Sequence, residues 1–531
     1  MPASVRPQAF RPIAYPEDGP APCADREAYA GLLKRITAIN EHTVVFELCA
    51  PDPAFRARIA GPAFAIQDTA WLQANARDGS ILTRPNGTGP FRLERWSPGS
   101  EMVLTRNEAW WGGPPKPAAL AMVWNADPRH RLADLVAGSI DGMDRVRIGD
   151  EAKISANPDL VLMPTVGLAT AFLGINARTV PFDDPSVREA VALGIDRQAL
   201  VDAAFPSGST VARYLTPCSV PHGCRGTAFP EVDRPAAKDL LDQAGFPTFT
   251  TTIAYADAPS SYLPNPAAAA ENLRSQLAEI GITATLKPQP ADALIAAVDS
   301  GKSPGLFLLG TVARMPDVTE FLERNVGSGA GRFGGVDRSL TAALKKAATA
   351  VSDDDRAPAY TAVNDALRRT VPLVPLAHPG WNVAYRSDVA AAHTSPLASE
   401  RFAAMTPGDR RQIAWAQATE PESLYCADED EADTLRACAQ IGESLYAYEP
   451  GEASLLPALA TDCQTPKPLT TWTCTLRRRV VFHDGSRLDA ADVVMSFAAQ
   501  WDAANPLHRG RTGDFRPFLE RFRGFLNPPT P

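Results

Sequence analysis

The side chains whose spacing carries the clearest chemistry are eight cysteines, which form four pairs of neighbours along the chain. The pairs are Cys23 and Cys49, Cys218 and Cys224, Cys426 and Cys438, and Cys463 and Cys474. No pair has CxxC spacing and the seven histidines are scattered, so neither a metal site nor another cofactor is indicated. Disulfides between them would each stabilise the fold by roughly 2 to 4 kcal/mol and would indicate a location outside the cytoplasm. The spacing leaves their connectivity open.

Signals for catalysis are weak. Residues 329–334 read GAGRFG and fit a GxGxxG pattern, but no strand leads directly into them and no well-placed acidic residue follows, so we interpret them as a loop. His483 and Asp484 are adjacent and form the one candidate acid/base pair. The sequence contains no HExxH, Walker loop or nucleophile elbow. We therefore predict that the chain is not an enzyme.

Composition sets further limits. The chain has 531 residues, a formal net charge of -9, and contents of 45% hydrophobic and 21% charged residues. This length gives room for two or three domains, and the negative charge argues against binding to nucleic acid. No apolar run approaches the roughly 18 residues of a membrane span. Residues 1–22 lack the apolar core of a secretory signal, so we expect either a signal that was removed or a reading frame that has none.

Charged residues cluster near the end of the chain. The run 420–433 is rich in acidic residues, and arginines recur between 509 and 523. Such runs are most simply interpreted as faces exposed to solvent.

The secondary-structure pattern alternates between strands and helices. Residues 170–175 form an apolar run typical of a buried strand, and Asp184 is a plausible N-cap with Pro185 at the first helical position. Apolar residues then fall on one helical face: Val187, Ala190, Val191, Gly194 and Ile195. Further strands and helices are predicted at 238–245, 251–255, 267–280, 283–288, 306–312 and 337–351. This alternation predicts α/β layering.

Residues 176–197, NARTVPFDDPSVREAVALGIDR, resemble a segment of the family 5 bacterial solute-binding proteins, the peptide, dipeptide and nickel receptors of ABC importers. In that family the chain crosses between two lobes here. Residues 86–90 (NGTGP) and 107–113 (NEAWWGG) resemble a second family signature, and residues 371–378 (VPLVPLAH) resemble the return crossing. The HDG tract at His483 matches a structural turn of the family.

The resemblance implies an α/β, two-lobed periplasmic-binding-protein-like fold of type II, in the large peptide-receptor class, with mixed sheets and a hinge. It assigns residues 1–168 to part of the first lobe, 169–376 to the second lobe, and 377–531 to the rest of the first lobe.

The order of the segments departs from the family. Residues 413–424 and 472–494 resemble tracts that stand near the amino terminus of family members, yet here they close the chain. The segments follow the order found in the family when residues 410–531 are placed before residues 1–405. Circular permutation is one explanation, and a fusion of two truncated neighbouring genes is the other. Permutation predicts that the C-terminal segment packs into the first lobe.

Candidate ligand residues come from residues 310–322, GTVARMPDVTEFL, which resemble a Gly-Trp…Asp…Asp-Pro tract of the family. Gly310 and Asp317 are retained, whereas Thr311 replaces an aromatic residue. Arg314 stands where peptide receptors have the acidic residue that pairs with the amino terminus of the ligand. A guanidinium suits a carboxylate or phosphate, so an anionic ligand group is conceivable, and a surface role for Arg314 is the alternative.

Two aromatic residues complete the set of candidates. Trp381 follows the return crossing and Tyr425 precedes Cys426. Either could form an aromatic wall of the site, and plain packing is the alternative for both.

The resemblance implies an extracytoplasmic solute-binding component of an ABC importer that captures a peptide-like solute between its lobes and delivers it to the permease. Its partners would be the solute and the permease subunits, with no nucleic acid, and the protein is expected to be a monomer. An anionic solute, a sugar or a metal chelate is the alternative on the same fold. An enzyme or a non-functional gene-fusion fragment is the alternative of another class.

Overall fold

The structure is a computed structural model that describes residues 10–313, 315–327, 331–335, 338–348, 350, 352–397 and 400–528. The chain forms two compact units. Unit 1 comprises the described residues of Met1–Val146, Lys153–Val161 and Ala384–Pro531, and unit 2 those of Arg147–Ala152 and Leu162–Val383. None of the described helices combines the length and apolar character needed to cross a bilayer.

The strands in chain order are β1 (Ile13–Tyr15), β2 (Leu33–Asn40), β3 (Thr43–Leu48), β4 (Phe91–Ser97), β5 (Glu101–Arg106), β6 (Ala119–Trp124), β7 (Gly142–Met143), β8 (Leu160–Val166), β9 (Ala169–Ile175), β10 (Thr210–Val211), β11 (Phe249–Ala256), β12 (Ile282–Gln289), β13 (Leu306–Val312), β14 (Leu373–His378), β15 (Gly380–Arg386), β16 (Val389–Ala390), β17 (Thr406–Pro407), β18 (Gln412–Gln417), β19 (Tyr446–Tyr448), β20 (Leu455–Pro457), β21 (Ala460–Gln464) and β22 (Thr471–Leu476).

The helices are α1 (Phe55–Arg58), α2 (Thr69–Asn75), α3 (Pro128–Ala137), α4 (Glu151–Ser155), α5 (Pro185–Gly194), α6 (Arg197–Ala204), α7 (Arg234–Gln243), α8 (Pro266–Ala278), α9 (Ala291–Asp299), α10 (Val318–Leu322), α11 (Arg338–Ala348), α12 (Asp353–Thr370), α13 (Ala432–Ile441), α14 (Ala490–Trp501) and α15 (Arg516–Phe522). Short 3-10 turns occur at Pro62–Phe64, Ser80–Leu82, Phe402–Ala404 and Cys426–Asp428, and a π turn at Glu323–Gly327.

In unit 1, strands from the last quarter of the chain complete sheets that begin near its start. The order β1-β2-β3-β22-β21 places β22 antiparallel to β3. The order β4-β5-β6-β18-β7-β15-β8 places β18 between β6 and β7 and parallel to both. The C-terminal segment is therefore part of the hydrogen-bonded framework of unit 1.

The NGTGP motif allows two backbones to meet. Gly89 N donates to Ile441 O over 2.8 Å at the end of α13. A Cβ atom added to Gly87 would lie 2.1 Å from the same oxygen, so no side chain fits there. His483 N donates to Gly87 O over 2.9 Å, so the HDG turn joins the same contact. Two predicted signature segments, NGTGP and the HDG turn, therefore meet here at the end of α13, and the His483 ring takes part as well, with its Nε2 3.1 Å from Gly89 O.

A buried ion network holds α13 in unit 1. Arg436 is 1% exposed. Its guanidinium donates to Glu400 over 2.7 Å, to Asp433 over 2.6 Å and to Asp144 over 3.1 Å. Burial raises the pKa of Asp144, and at Asp433 the same effect is outweighed by Arg436 and Arg145, which hold its pKa below the ordinary value.

The interpretation of residues 420–433 as a solvent-exposed face is right for Glu422 and Asp430 and wrong for three of the other acidic residues. Asp428, Glu429 and Asp433 are buried. The Asp428 carboxylate accepts backbone N–H groups of the loop before α15, including Gly513 N over 2.8 Å, and Glu429 forms an ion pair with Arg511 over 2.9 Å. These carboxylates are buried because each has partners, which the charge pattern alone does not reveal.

Unit 2 is built on the sheet order β10-β14-β9-β13-β11-β12, in which β11, β12 and β13 are parallel and β9 is antiparallel to β13 and β14. All residues of β9 are buried. The predicted cap is confirmed, since the Asp184 side chain accepts Ser186 N with Pro185 at the start of α5. The apolar face of α5 and that of α8 pack on this sheet. The predicted α/β class with mixed sheets is confirmed.

The four cysteine pairs are disulfides: Cys23–Cys49, Cys218–Cys224, Cys426–Cys438 and Cys463–Cys474. The prediction of structural disulfides is confirmed. Of residues 329–334, those from 331 on form a turn, and Gly329 and Ala330 lie outside the described residues.

The Arg436→Ala variant is expected to lower the free energy of unfolding by about 3 to 5 kcal/mol, because three buried carboxylates lose their shared cation. Urea unfolding followed by tryptophan fluorescence measures the change. Arg84→Ala removes an exposed arginine of the same unit and is the matched control, with an expected change within about 0.5 kcal/mol. Equal midpoints for the two variants would show that the network contributes nothing.

Candidate functional site

The predicted ligand residues Gly310 and Thr311 lie near the end of β13. Thr311 pairs directly with Thr170 of β9 in the antiparallel register. Residues directly opposite each other on antiparallel strands project from the same face of a sheet. The two hydroxyls therefore share one face of the unit 2 sheet.

Thr170 connects this face to His378 at the end of β14. Its Oγ1 donates to Leu215 O over 2.8 Å and lies 3.0 Å from His378 Nδ1. Burial lowers the pKa of His378 to about 4, so the imidazole is neutral at pH 7. Thr311, Thr170 and His378 thus form a polar row of uncharged groups across three adjacent strands.

Thr311 differs from its neighbour in its hydrogen bonding. It is 4% exposed, and among the described residues no partner lies within hydrogen-bond distance of its Oγ1. A buried hydroxyl without a partner costs about 1 to 3 kcal/mol. This hydroxyl is therefore a candidate group for hydrogen bonding to a solute.

The opposite face at Gly310 is covered by an aromatic ring. A Cβ atom on Gly310 would lie 2.3 Å from Cδ2 of Tyr262, so glycine is required for the ring to lie against the strand. Tyr262 is half-buried in the loop before α8. Sequence analysis did not name Tyr262, and it placed Thr170 and His378 only in the strand at 170–175 and in the return crossing at 371–378, not in the site.

Asp317 is engaged by protein groups. It caps α10, where its carboxylate accepts Thr319 N over 3.0 Å, and it forms an ion pair with Arg356 over 2.9 Å. Burial opposes ionisation, but Arg356 and the Thr319 hydrogen bonds outweigh it and hold the pKa of Asp317 below its ordinary value. These contacts suit a structural residue. Arg314 lies outside the described residues.

Trp381 lies close to the polar row. A Cβ atom on Gly167 would be 2.5 Å from Cζ3 of the Trp381 ring, so this half-buried indole packs on the backbone just before β9. Ala313 N, just after β13, donates to Leu168 O over 2.7 Å. Trp381 and the end of β13 are therefore both next to residues 167–168.

Tyr425 belongs to unit 1. It is 2% exposed, and its ring makes an edge contact with Phe515 at a centroid distance of 6.2 Å. Burial raises the pKa of its hydroxyl. These contacts are those of a core residue of unit 1.

Comparison with known proteins gives consistent results. The model of the bacterial extracellular solute-binding proteins, family 5 Middle, matches residues 13–333 and 454–515, which is more than half of the chain. The di/tripeptide-binding protein 2 of Pseudomonas aeruginosa is 27% identical over 390 residues, or 72% of this chain and 73% of that protein.

Solved structures have the same fold. HbpA2 from Haemophilus parasuis superposes with a TM-score of 0.65 at 24% identity, over 70% of this chain and 74% of that one. The dipeptide binding protein of Pseudoalteromonas sp. SM9913, in complex with Met-Leu, superposes with a TM-score of 0.53 at 22% identity, over 71% and 76% of the two chains. The family is one of solute receptors for ABC importers and not of enzymes, and this chain belongs to the bacterial extracellular solute-binding proteins, family 5.

Proposed function

We propose that this chain captures a short peptide and delivers it to the permease of an ABC importer. Family membership carries the proposal, and the di/tripeptide-binding relative from Pseudomonas aeruginosa supports a peptide as the solute. The lobes correspond to residues 1–168 with 377–531, and to residues 169–376. The protein acts outside the cytoplasm as a monomer, and its four disulfides support that location.

The solute contacts that we propose in unit 2 are Gly310, Thr311 and Trp381. The Thr311 hydroxyl supplies a hydrogen bond to the peptide backbone, because it has no partner among the described residues. The half-buried Trp381 ring supplies an apolar surface for a side chain. Arg314 remains a candidate partner for the peptide carboxylate, and for Asp317 and Tyr425 the contacts favour structural roles.

A melting experiment against a solute panel tests the function. The oxidised protein is heated with dipeptides, tripeptides, hexapeptides, single amino acids, sugars and chelated nickel, each in large excess. A peptide that binds only the folded state stabilises it by RT ln(1 + [L]/Kd), which is about 2.7 kcal/mol at a hundredfold excess over Kd. We expect one peptide length to raise the melting temperature.

The matched control in the panel is the same peptide with its amino terminus acetylated and its carboxyl terminus amidated, which separates recognition of the charged ends from recognition of the backbone. A rise with sugar or nickel chelate alone would contradict the peptide proposal and leave the receptor assignment intact. No response to any compound would contradict the receptor proposal itself.

Substitution of two threonines tests the contact. Thr311→Val is expected to raise the free energy of unfolding of the solute-free protein by about 1 kcal/mol, because it removes an unpartnered buried hydroxyl, and to weaken peptide binding. Thr170→Val is the matched control, since it deletes a hydroxyl that is already bonded to Leu215 O, and should lower the stability. Calorimetric titration and urea unfolding give the two readouts. Unchanged peptide affinity in Thr311→Val would exclude this hydroxyl from the site.

We also propose that the chain is a circular permutant of its family. Two observations support this: β18 lies between β6 and β7, and β22 lies beside β3. A reordered gene that encodes residues 410–531 followed by 1–405 is expected to yield a protein with the same peptide affinity and one cooperative melt. An insoluble product, or one that melts in two separate steps, would favour the gene-fusion explanation.

A further inference from the structure

A cavity of about 270 Å³ lies within unit 1. Pockets that hold small molecules begin near roughly 300 Å³, so this cavity, which is just below that size, can take only a compact molecule. Trp110 and Trp111 of the NEAWWGG signature line it together with Glu443, Arg401 and Arg477. None of these residues belongs to the peptide site proposed above.

The carboxylate of Glu443 is already occupied. Trp110 Nε1 donates to its Oε1 over 3.0 Å, and its Oε2 accepts Trp111 Nε1 over 2.9 Å and Thr88 Oγ1 over 3.0 Å. All three donors are neutral. Burial raises the pKa of Glu443 to about 7, against the lowering effects of these donors and of the Arg401 charge. The acidic group in the cavity is therefore held by protein groups and has little capacity left for a ligand cation.

The guanidinium groups of Arg401 and Arg477, unlike the Glu443 carboxylate, have few protein partners. Arg477 stacks on Trp111 with its Cζ 3.8 Å from the ring centroid, and its Nε donates to Ala458 O over 3.1 Å. Across the part of the chain that the structure describes, neither Arg477 nor Arg401 forms an ion pair with a carboxylate within 4.0 Å, and both are half-buried. The cavity thus has two cations without a direct ion pair and one carboxyl group, Glu443, whose hydrogen bonds come from neutral donors.

The rest of the lining is mainly apolar. Pro62, Leu456, Pro457 and the ring of Tyr448 contribute to it. Such a surface suits a hydrocarbon body and does not suit a highly hydrated ion.

We propose that this cavity binds a small monocarboxylate with an apolar body. Its carboxylate is recognised by Arg401 and Arg477, since a guanidinium pairs with a carboxylate through two parallel hydrogen bonds. A cationic ligand is disfavoured by the two guanidiniums. A phosphate dianion is disfavoured by the adjacent Glu443 and by the apolar lining. One negative charge on the ligand brings the cavity closer to neutrality, since two guanidiniums there accompany a single carboxyl group.

Calorimetric titration of the full chain with 4-methylpentanoate tests this proposal. We expect saturable binding by the unmodified protein, an affinity about tenfold weaker in Arg401→Gln, and recovery to within about threefold of the original in Arg401→Lys. The neutral analogue 4-methylpentanamide has the same shape and should bind at least about tenfold more weakly than the acid. A saturating peptide ligand should leave the affinity for the acid unchanged, which separates this site from the peptide site.

A second variant tests the same cavity without a change at Arg401. Ala447→Leu fills part of the cavity without a change in charge, and it should abolish binding of the acid while the affinity for peptide stays the same. Three results would each overturn the proposal: no saturable binding by the unmodified protein at millimolar concentrations, equal affinity in Arg401→Gln, or equal affinity for acid and amide. Circular dichroism and melting test whether each variant is folded. If Arg401→Gln does not fold, the result for Ala447→Leu tests the proposal in its place.

Discussion

A single buried guanidinium, that of Arg436, lies between three carboxylates from separated parts of the chain. Removing four charged groups from water is expensive, and the cost is recovered only when every member has its partners. The same guanidinium lies 5.4 Å from the ring centroid of Trp415 in β18. The network therefore requires α13, β18 and the end of β7 to be in place together. A C-terminal segment that folded alone would leave Arg436 with Asp433 but without Asp144 and Glu400.

Local rules explain what the sequence could predict. The cap at Asp184, the buried strand β9 and the near-neighbour disulfides each depend on residues close together in the chain. The role of the NGTGP motif could be predicted only in part, because its glycines indicate a turn. The reason that Gly87 must lack a side chain is the carbonyl of Ile441, which no local pattern indicates.

The polar row in unit 2 could not be predicted, because it depends on which strands are neighbours and in which register. Thr170 opposes Thr311, and a shift of one residue would place Thr170 on the other face of the sheet. The alternation of apolar residues predicts the strands but not their partners. The same limit explains why the charge run at 420–433 gave the wrong environment for Asp433. Its partner Arg436 is only three residues away, but that guanidinium is buried among Asp144 and Glu400, which are distant in the chain.

The Thr311 hydroxyl, which has no partner among the described residues, shows the opposite demands that the proposed binding site and a stable fold would make. A protein selected for stability alone would place valine there, which has nearly the same shape and no polar group to satisfy. A threonine at that position lowers the stability of the empty receptor. If a solute supplies the missing hydrogen bond, the same group rejects ligands that cannot supply it, because they leave it buried and unsatisfied. The stability lost in the solute-free protein is then what allows the bound protein to discriminate between solutes. Thr170 contributes no such discrimination, because its hydroxyl is already bonded within the protein.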